Sequence, residues 1–355
     1  MLRRQTVSFP HETVPMGYER ALVVIPSLLR NDRIFLSLRN VRLSLAMYGF
    51  SGTLINMIKM LITLWKFSRP HTIIGTSLSI SALFVIALEV TSFQIIPIGS
   101  FILALIACLA GNVYIVGLNQ IEDVEIDRVN KPDLPIPAGQ LSLPAARIIV
   151  AVSGILSLGL AFTQGIYLIL VVSISLFLGT LYSLPPVRLK RYPFWAAFSI
   201  LTVRGLVINL GIYLYFINIL THQIYIPTKI WALTAFIFGF SLMIAWFKDI
   251  PDVEGDRQFR IITFAVRLGQ KSLFHLGTAF LSLLYLGMIL AGIVLIPGIN
   301  KPFFVLIHIL LLAAFLYASR SVDPALKPSM TRQYHFIWKL FYLEYFFFPL
   351  ACVLG

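Results

Sequence analysis

Charged residues are scarce in this sequence. Only 12% of its 355 residues are Asp, Glu, Lys or Arg, and 58% are hydrophobic. A typical soluble protein carries about twice that fraction of charge. The scarcity excludes a soluble multidomain enzyme, a disordered protein and a coiled coil. The mean hydropathy of +0.88 indicates a polytopic membrane protein instead.

Other common functional signatures are also missing. The two cysteines, Cys108 and Cys352, both lie in apolar runs, which gives no support to a disulfide scaffold or a cysteine metal cluster. The six histidines have no HExxH or similar spacing, so a zinc site is not indicated. Without a Walker loop or a GxGxxG motif, ATP-driven transport and dinucleotide binding also lack support.

Long apolar runs make up most of the chain. A helix needs about 20 apolar residues to cross a bilayer, and these runs are continuous rather than alternating, which favours helices over a β-barrel. The sequence therefore predicts an all-α fold, a transmembrane bundle of about nine spans with a central cavity capped by cytoplasmic acidic loops. The predicted spans are 72–90, 95–118, 145–163, 165–184, 194–218, 229–247, 273–295, 302–318 and 335–354.

The cations are distributed unevenly between the two ends of these spans. Of the 28 Lys and Arg residues, 24 fall in residues 1–71 or in the even-numbered loops, whereas Lys229 and Lys301 are on the other side. This asymmetry predicts a cytoplasmic N-terminus and explains the net charge of +13 without nucleic-acid binding. We expect residues 1–60 to be a poorly ordered or interfacial extension and residues 61–355 to be the membrane domain.

The carboxylates are concentrated in two of the predicted cytoplasmic loops. Nine of the fifteen lie in residues 119–133 and 248–257. In each loop the spacing would put three oxygen ligands on one face of a helix. The two triplets are Asn119, Asp123, Asp127 and Asp249, Asp252, Asp256. Such faces suit Mg²⁺, which shares carboxylates with substrate phosphate. The alternative is two solvated loops with local salt bridges.

Basic residues accompany both acidic loops. Cations at the oxygens of a departing diphosphate would stabilise its charge. For any single cation, anchoring at the cytoplasmic interface is an equally good explanation. The candidates for binding phosphate are Lys131, Lys248, Arg188, Lys190 and Arg191, and Tyr182 precedes the last three.

These segments resemble those of the UbiA-type intramembrane aromatic prenyltransferases. The resemblance covers about residues 64–354 and is carried by FSRPHTIIGT (67–76), NQIEDVEIDRVNKPDLP (119–135), YSLPPVRLKR (182–191) and KDIPDVEGDRQF (248–259). Within that superfamily the NKPDLP continuation and the KDIPDVEGD loop are similar to those of homogentisate phytyltransferases of cyanobacteria and plastids. No part of the resemblance includes the N-terminal 60 or so residues.

The resemblance implies a function and a set of site residues. It implies Mg²⁺-dependent transfer of a phytyl group from its diphosphate to homogentisate with loss of CO₂, as in tocopherol biosynthesis, in a plasma or thylakoid membrane. The residues it implies for Mg²⁺ and diphosphate are Asn119, Asp123, Asp127, Asp252 and Asp256, with Asp249 fitting less clearly and Lys190 and Arg191 contacting phosphate.

Two further residues allow alternative interpretations. Arg69 begins the first span and is a candidate phosphate contact or an interface anchor. Arg204 falls in the middle of the fifth span, where a charge is costly. It either lines the pocket and meets the acceptor carboxylate, or pairs with a polar group such as Glu344.

Two alternative functions stay open. One is another prenyltransferase of the same type, with a solanesyl or geranylgeranyl donor, or with 4-hydroxybenzoate or a chlorophyllide as acceptor. The other is a membrane transporter that uses the carboxylates. Transport sites usually lie near the midplane on broken helices, whereas these acids lie at the ends of predicted spans.

Overall fold

The computed structural model describes residues 52–355, and every regular element in that range is a helix. The chain divides into two compact units, Met1–Leu61 and Ile62–Gly355. Up to residue 51, the predicted N-terminal extension lies outside the described residues. The helices are α1 (Gly52–Phe67), α2 (Pro70–Val90), α3 (Ile98–Glu122), α4 (Val124–Asn130), α5 (Leu143–Gln164), α6 (Ile166–Ser183), α7 (Pro193–Leu201), α8 (Ile208–Thr221), α9 (Thr228–Asp249), α10 (Val253–Gln258), α11 (Phe264–Leu268), α12 (Gln270–Val294), α13 (Lys301–Ser319) and α14 (Lys327–Val353).

Nine helical segments within residues 52–355 are long and apolar enough to cross a membrane, as predicted. They are α2, α3, α5, α6, α7 with α8, α9 with α10, α12, α13 and α14. The observed spans differ from the predicted ones in the residues at which they begin and end. The last span begins at Lys327 rather than 335, so Lys327 and Arg332 belong to helix α14 and not to a loop.

Helix α3 continues beyond the apolar run that predicted it. It has 25 residues and ends at Glu122, a length of about 37 Å, which exceeds the thickness of a bilayer's hydrocarbon core. A single helix therefore contains both the apolar residues of the span and, near its C-terminal end, Asn119. Asp123 follows directly and separates α3 from α4.

The fifth span is not a regular α-helix. Residues Thr202–Val207 form a π-helical turn between α7 and α8. Gly205 in this turn is buried, and a Cβ there would lie 2.7 Å from the Cα of Phe238 on α9. Only glycine permits this close approach of the two backbones, which helices in membranes commonly use to pack.

Aromatic side chains fill the core of the second unit. Phe236, Phe240, Tyr285, Phe304 and Phe341 are almost completely buried. At the end of the bundle remote from the acidic loops, the ammonium of Lys229 on α9 pairs with the Glu89 carboxylate on α2. This ion pair links two helices that are far apart in sequence.

Candidate active site

Two adjoining cavities contain most of the predicted site residues. We call the smaller one, of about 60 Å³, the acidic cavity and the larger one, of about 230 Å³, the apolar cavity. Four residues line both and mark their junction: Arg69, Asn119, Tyr182 and Lys248. The other predicted residues that line the acidic cavity are Asp123, Asp127, Lys131, Lys190, Asp249, Asp252 and Asp256.

Asp123 is the most heavily neutralised carboxylate of the site. Its Oδ1 accepts a hydrogen bond of 2.9 Å from Nη2 of Arg188 and forms an ion pair with the ammonium of Lys190. Its Oδ2 accepts a bond of 3.0 Å from the Asn119 amide. Burial opposes its ionisation, but these cations outweigh burial and hold the pKa of the Asp123 carboxyl below its usual value.

Asp127, one turn further on, has a different environment. It is buried, and its Oδ2 has no hydrogen-bond partner among the described residues. Burial raises the pKa of the Asp127 carboxyl above its usual value, and nearby Arg69 and Lys131 offset this only in part. A buried, unpartnered oxygen of this kind needs a cation to become stable in its ionised form.

The second acidic motif reaches the same cavity on an irregular backbone. Helix α9 ends at Asp249, a 3₁₀ turn covers Ile250–Asp252, and α10 starts at Val253. Pro251 lies within the 3₁₀ turn, and Gly255 lies inside α10. The three carboxylates nevertheless all line the acidic cavity.

Two lysines pair with two of these three carboxylates. The ammonium of Lys131, from the first motif, pairs with Asp252 of the second. Lys248 Nζ lies 3.5 Å from Oδ1 of Asp249 and donates a 3.1 Å hydrogen bond to the hydroxyl of Tyr182. The motifs, 121 residues apart at the Lys131–Asp252 pair, therefore form one charged cluster.

Asn130 joins the two acidic segments and was missed by the sequence analysis. Its Oδ1 accepts a 3.1 Å hydrogen bond from the backbone N–H of Gly255, and its carbonyl accepts one of 2.9 Å from Lys327 Nζ. Asn130 is buried and lines the acidic cavity. Its position in the NKPD segment, directly before Lys131, was the available signal.

The donor set of the acidic cavity fits Mg²⁺. It offers several carboxylates and an amide oxygen, the hard ligands that this ion prefers. Oδ2 of Asp127 has no hydrogen-bond partner within residues 52–355 and is available to a metal ion. Among residues 52–355, however, no three Asp, Glu, His or Cys side chains are arranged to hold a metal ion together. Lysines instead neutralise Asp123 and Asp252.

Three predicted residues lie elsewhere. Arg188 does not line the acidic cavity but reaches it through Asp123. Arg191 is exposed and lines neither cavity. Arg204 lines the apolar cavity. Its alternative pairing with Glu344 is wrong, because Glu344 Oε1 lies 3.1 Å from Nε2 of His308 and is hydrogen-bonded there instead.

The apolar cavity lies among membrane-spanning helices. Its wall contains small and aliphatic residues of α2, α3 and α6, among them Gly75, Gly111, Ile115 and Val172. Aromatic residues of α14, including Trp338, complete it. Such a wall suits a long hydrocarbon chain, while the junction with the acidic cavity suits the charged group at the end of that chain.

Comparisons with known proteins agree with this arrangement. Residues 78–340 match the UbiA prenyltransferase family. The chain is 47% identical over 290 residues to homogentisate phytyltransferase of Synechocystis sp., covering 81% of this chain and 94% of the relative. It is 39% identical over 293 residues to the chloroplastic homogentisate solanesyltransferase of Arabidopsis thaliana, covering 80% and 75%.

A solved structure shares the fold at low sequence identity. The UbiA homologue from Archaeoglobus fulgidus bound to GPP and Mg²⁺ superposes with a TM-score of 0.55 at 16% identity, covering 82% of this chain and all of that one. The family resemblance stated from the motifs is thus confirmed by a match over most of the chain. This membrane-embedded helical protein belongs to the UbiA prenyltransferase family.

Proposed function

We propose that this protein is a homogentisate phytyltransferase. It would transfer the phytyl group of phytyl diphosphate to homogentisate and release CO₂ and diphosphate, giving 2-methyl-6-phytylbenzoquinol for tocopherol synthesis. The observation that carries the proposal is the charged cluster at the end of an apolar cavity. The choice of homogentisate as the acceptor is supported by the 47% identity to the Synechocystis homogentisate phytyltransferase over most of both chains.

The acidic cavity is the proposed site of Mg²⁺ and the diphosphate. The proposed ligands are Asn119, Asp123, Asp127, Asp249, Asp252 and Asp256, all of which line that cavity. When bound, Mg²⁺ supplies Lewis-acid stabilisation of the negative charge on the diphosphate. The Mg²⁺ and GPP named for the Archaeoglobus homologue support this choice of ion and of ligand class.

The cations around this cavity are the proposed diphosphate contacts. Breaking the allylic C–O bond leaves its electron pair on the diphosphate, and fixed cations lower the energy of that state. Tyr182, held by Lys248, stands at the junction where the bond breaks. The cationic contacts are Arg69, Lys131, Arg188, Lys190 and Lys248; Arg191, exposed and outside the cavities, is left out of this set.

The apolar cavity provides the surroundings that the reaction needs. An allylic carbocation is destroyed by water, and the aliphatic wall excludes water from it. The electron-rich ring of homogentisate attacks the cation and forms the new C–C bond. The ring then loses its proton, the acetate carboxyl leaves as CO₂, and the remaining carbon takes up a proton to become the methyl group.

The second candidate function is transfer of a solanesyl group from solanesyl diphosphate to homogentisate. The Arabidopsis homogentisate solanesyltransferase is 39% identical to this chain, so identity alone does not distinguish the phytyl from the solanesyl donor. Both reactions use the same acceptor and the same charged site.

The membrane placement is also part of the proposal. The charge asymmetry supports a cytoplasmic N-terminus and a cytoplasmic acidic cavity, in the plasma or thylakoid membrane of a photosynthetic bacterium. We further propose that residues 61–355 carry the whole reaction and that residues 1–60 are an extension.

The test is an assay of membranes that contain the protein. They are incubated with Mg²⁺, ring-labelled homogentisate and, in parallel, phytyl, geranylgeranyl or solanesyl diphosphate. The expected product is a phytylated methylquinol, identified by chromatography and mass. It should disappear when a chelator removes Mg²⁺ and return when Mg²⁺ is restored.

Two outcomes would contradict the proposal. A product with solanesyl diphosphate alone would assign the donor of the second candidate. Absence of product from all three donors, together with turnover of 4-hydroxybenzoate or a chlorophyllide, would move the protein to another acceptor within the family.

A further inference from the structure

Arg204 has an unusual position for a cation, and the charges described above do not explain it. It projects from the π-helical turn of the fifth span into the apolar cavity. Its side chain donates no hydrogen bond and forms no ion pair with any residue of the range 52–355, and its Nη1 is buried. Unpaired cations at this depth in a membrane protein are costly and commonly functional.

The groups around Arg204 are aromatic. Its guanidinium carbon lies 4.5 Å from the ring centroid of Trp338 and 5.6 Å from that of Phe341. Ring faces attract a guanidinium, but they do not accept its N–H groups in the plane of the fork. One face of the guanidinium is therefore covered while its hydrogen-bonding capacity remains unused.

The unpaired N–H groups of Arg204 indicate which type of ligand would bind there. The diphosphate already has five proposed cations at the acidic cavity, whose carboxylates would repel a second organic anion. Arg204 lines a cavity with no carboxylate in its wall, whose other cations, Arg69 and Lys248, lie at the junction with the acidic cavity. Its planar fork matches the two oxygens of a carboxylate. An aromatic acid can place its carboxylate against this fork while its ring stays in the apolar cavity.

We propose that Arg204 is the binding site for the carboxylate of the aromatic acceptor. The proposal rests on the proposed function and specifies how one of its substrates is held. It assigns opposite charges to the two substrate sites: a carboxylate-rich cavity for the metal-bound diphosphate, and a single arginine for the acid. The position of Arg204 would decide which ring carbon faces the donor.

The π-helical turn is held in place by a buried hydrogen-bond network. The Asn209 amide donates to the carbonyl oxygens of Arg204 and Gly205, at 3.1 and 2.8 Å. The Tyr345 hydroxyl on α14 donates to Oδ1 of Asn209 at 2.8 Å. Wide turns of this kind leave backbone carbonyls without regular partners. Asn209 satisfies them, which makes it a positioning residue for Arg204.

Equilibrium binding of ring-labelled homogentisate to the purified full-length protein, without donor, tests the proposal directly. Arg204→Leu should weaken this binding at least about tenfold, the usual loss for a charge-assisted contact. Arg204→Lys, which keeps the charge but loses the fork, should fall in between. Lys339→Leu is the matched control, because Lys339 is an exposed cation of α14 that lines neither cavity.

Steady-state kinetics separate the two substrates. Arg204→Leu should raise KM for homogentisate about tenfold or more while KM for phytyl diphosphate changes less than about twofold. Asn209→Leu should shift the same KM in the same direction. Methylhydroquinone, which has no carboxylate, should bind equally well to the native protein and to Arg204→Leu.

The outcomes distinguish this proposal from the proposed function. If native protein forms no product with homogentisate, the proposed function fails. If native protein is active but Arg204→Leu and Arg204→Lys bind homogentisate as tightly as Lys339→Leu does, the role of Arg204 is refuted. An equal rise in KM for both substrates would also refute it, because that result indicates general disruption of the cavity.

Discussion

At the scale of single residues, two aspartates of one motif have opposite electrostatic environments. Asp123 is surrounded by Arg188, Lys190 and Asn119. Asp127, four residues later, has a buried oxygen with no hydrogen-bond partner in the described part of the chain. A neutralised carboxylate stabilises the fold, whereas an unpaired buried one destabilises it and is retained for function.

We predict that Asp127→Asn separates stability from activity. The amide removes an unpaired buried charge, so the thermal unfolding temperature in detergent should stay unchanged or rise slightly. Prenyl transfer should fall roughly 10²-fold or more, because a proposed Mg²⁺ ligand is lost. Differential scanning fluorimetry and the membrane assay measure the two quantities on the same preparation.

The companion variant Asp123→Asn should behave differently. It leaves the buried ammonium of Lys190 without its anion, at a cost of about 3 kcal/mol in folding free energy. Both activity and unfolding temperature should therefore decrease. Equal stability of the two variants would contradict the distinction drawn here between their environments.

At the scale of elements, the short helices α4 and α10 bring the two acidic motifs together. The two helices are linked by the hydrogen bond from the Gly255 N–H to the Asn130 side chain. A Cβ on Gly255 would lie 2.6 Å from Cγ and from Nδ2 of Asn130. The spacing between the motifs therefore depends on the absence of a side chain at residue 255.

We predict that Gly255→Ala separates the motifs and lowers activity. Overpacking at this contact should destabilise the protein by about 1–3 kcal/mol, and prenyl transfer should fall about tenfold or more, because proposed ligands on α10 shift. Gly287→Ala is the matched control, since a Cβ at Gly287 meets nothing within 4 Å. Similar activity in both variants would show that the contact does not set the spacing.

Much of this architecture could be predicted from the sequence, for a physical reason. A spanning helix must satisfy its own backbone and present apolar side chains to lipid, so each span is visible as a continuous run. The gathering of the acids was also predictable, because both motifs end spans on one side.

The backbone details were not predictable in the same way. Arg69 and Arg188 both have left-handed backbone angles, with φ of 53° and 40°, which non-glycine residues adopt only when surrounding contacts impose them. The π-helical turn at Arg204 and the partner of Glu344 likewise depend on neighbouring helices. Such features come from tertiary packing, which a single sequence does not display.

At the scale of the whole molecule, the two ends of the bundle carry different charge patterns. The acidic cavity and its cations occupy one end. At the other end, the described ion pair of Glu89 and Lys229 links α2 to α9. We propose, from the distribution of cations in the sequence, that the first end faces the cytoplasm.

We predict that cysteines introduced at the two ends report opposite sides of the membrane. Cys108 and Cys352 are buried, so a membrane-impermeant maleimide should react mainly with an added exposed thiol. In intact spheroplasts Gln223→Cys, between α8 and α9, should be labelled, whereas Gln140→Cys, between α4 and α5, should be labelled only after permeabilisation. The reverse pattern would overturn the proposed orientation.

The pairing of Lys131 and Lys190 with aspartates has a consequence for how the two ligands depend on each other. Each ammonium neutralises a carboxylate of the proposed Mg²⁺ set. A metal ion that bound alone would displace these ammonium groups and leave them without anions, whereas a diphosphate arriving with the metal would accept them. We therefore expect metal and donor to bind with positive cooperativity, and by thermodynamic linkage each would raise the affinity for the other by the same factor.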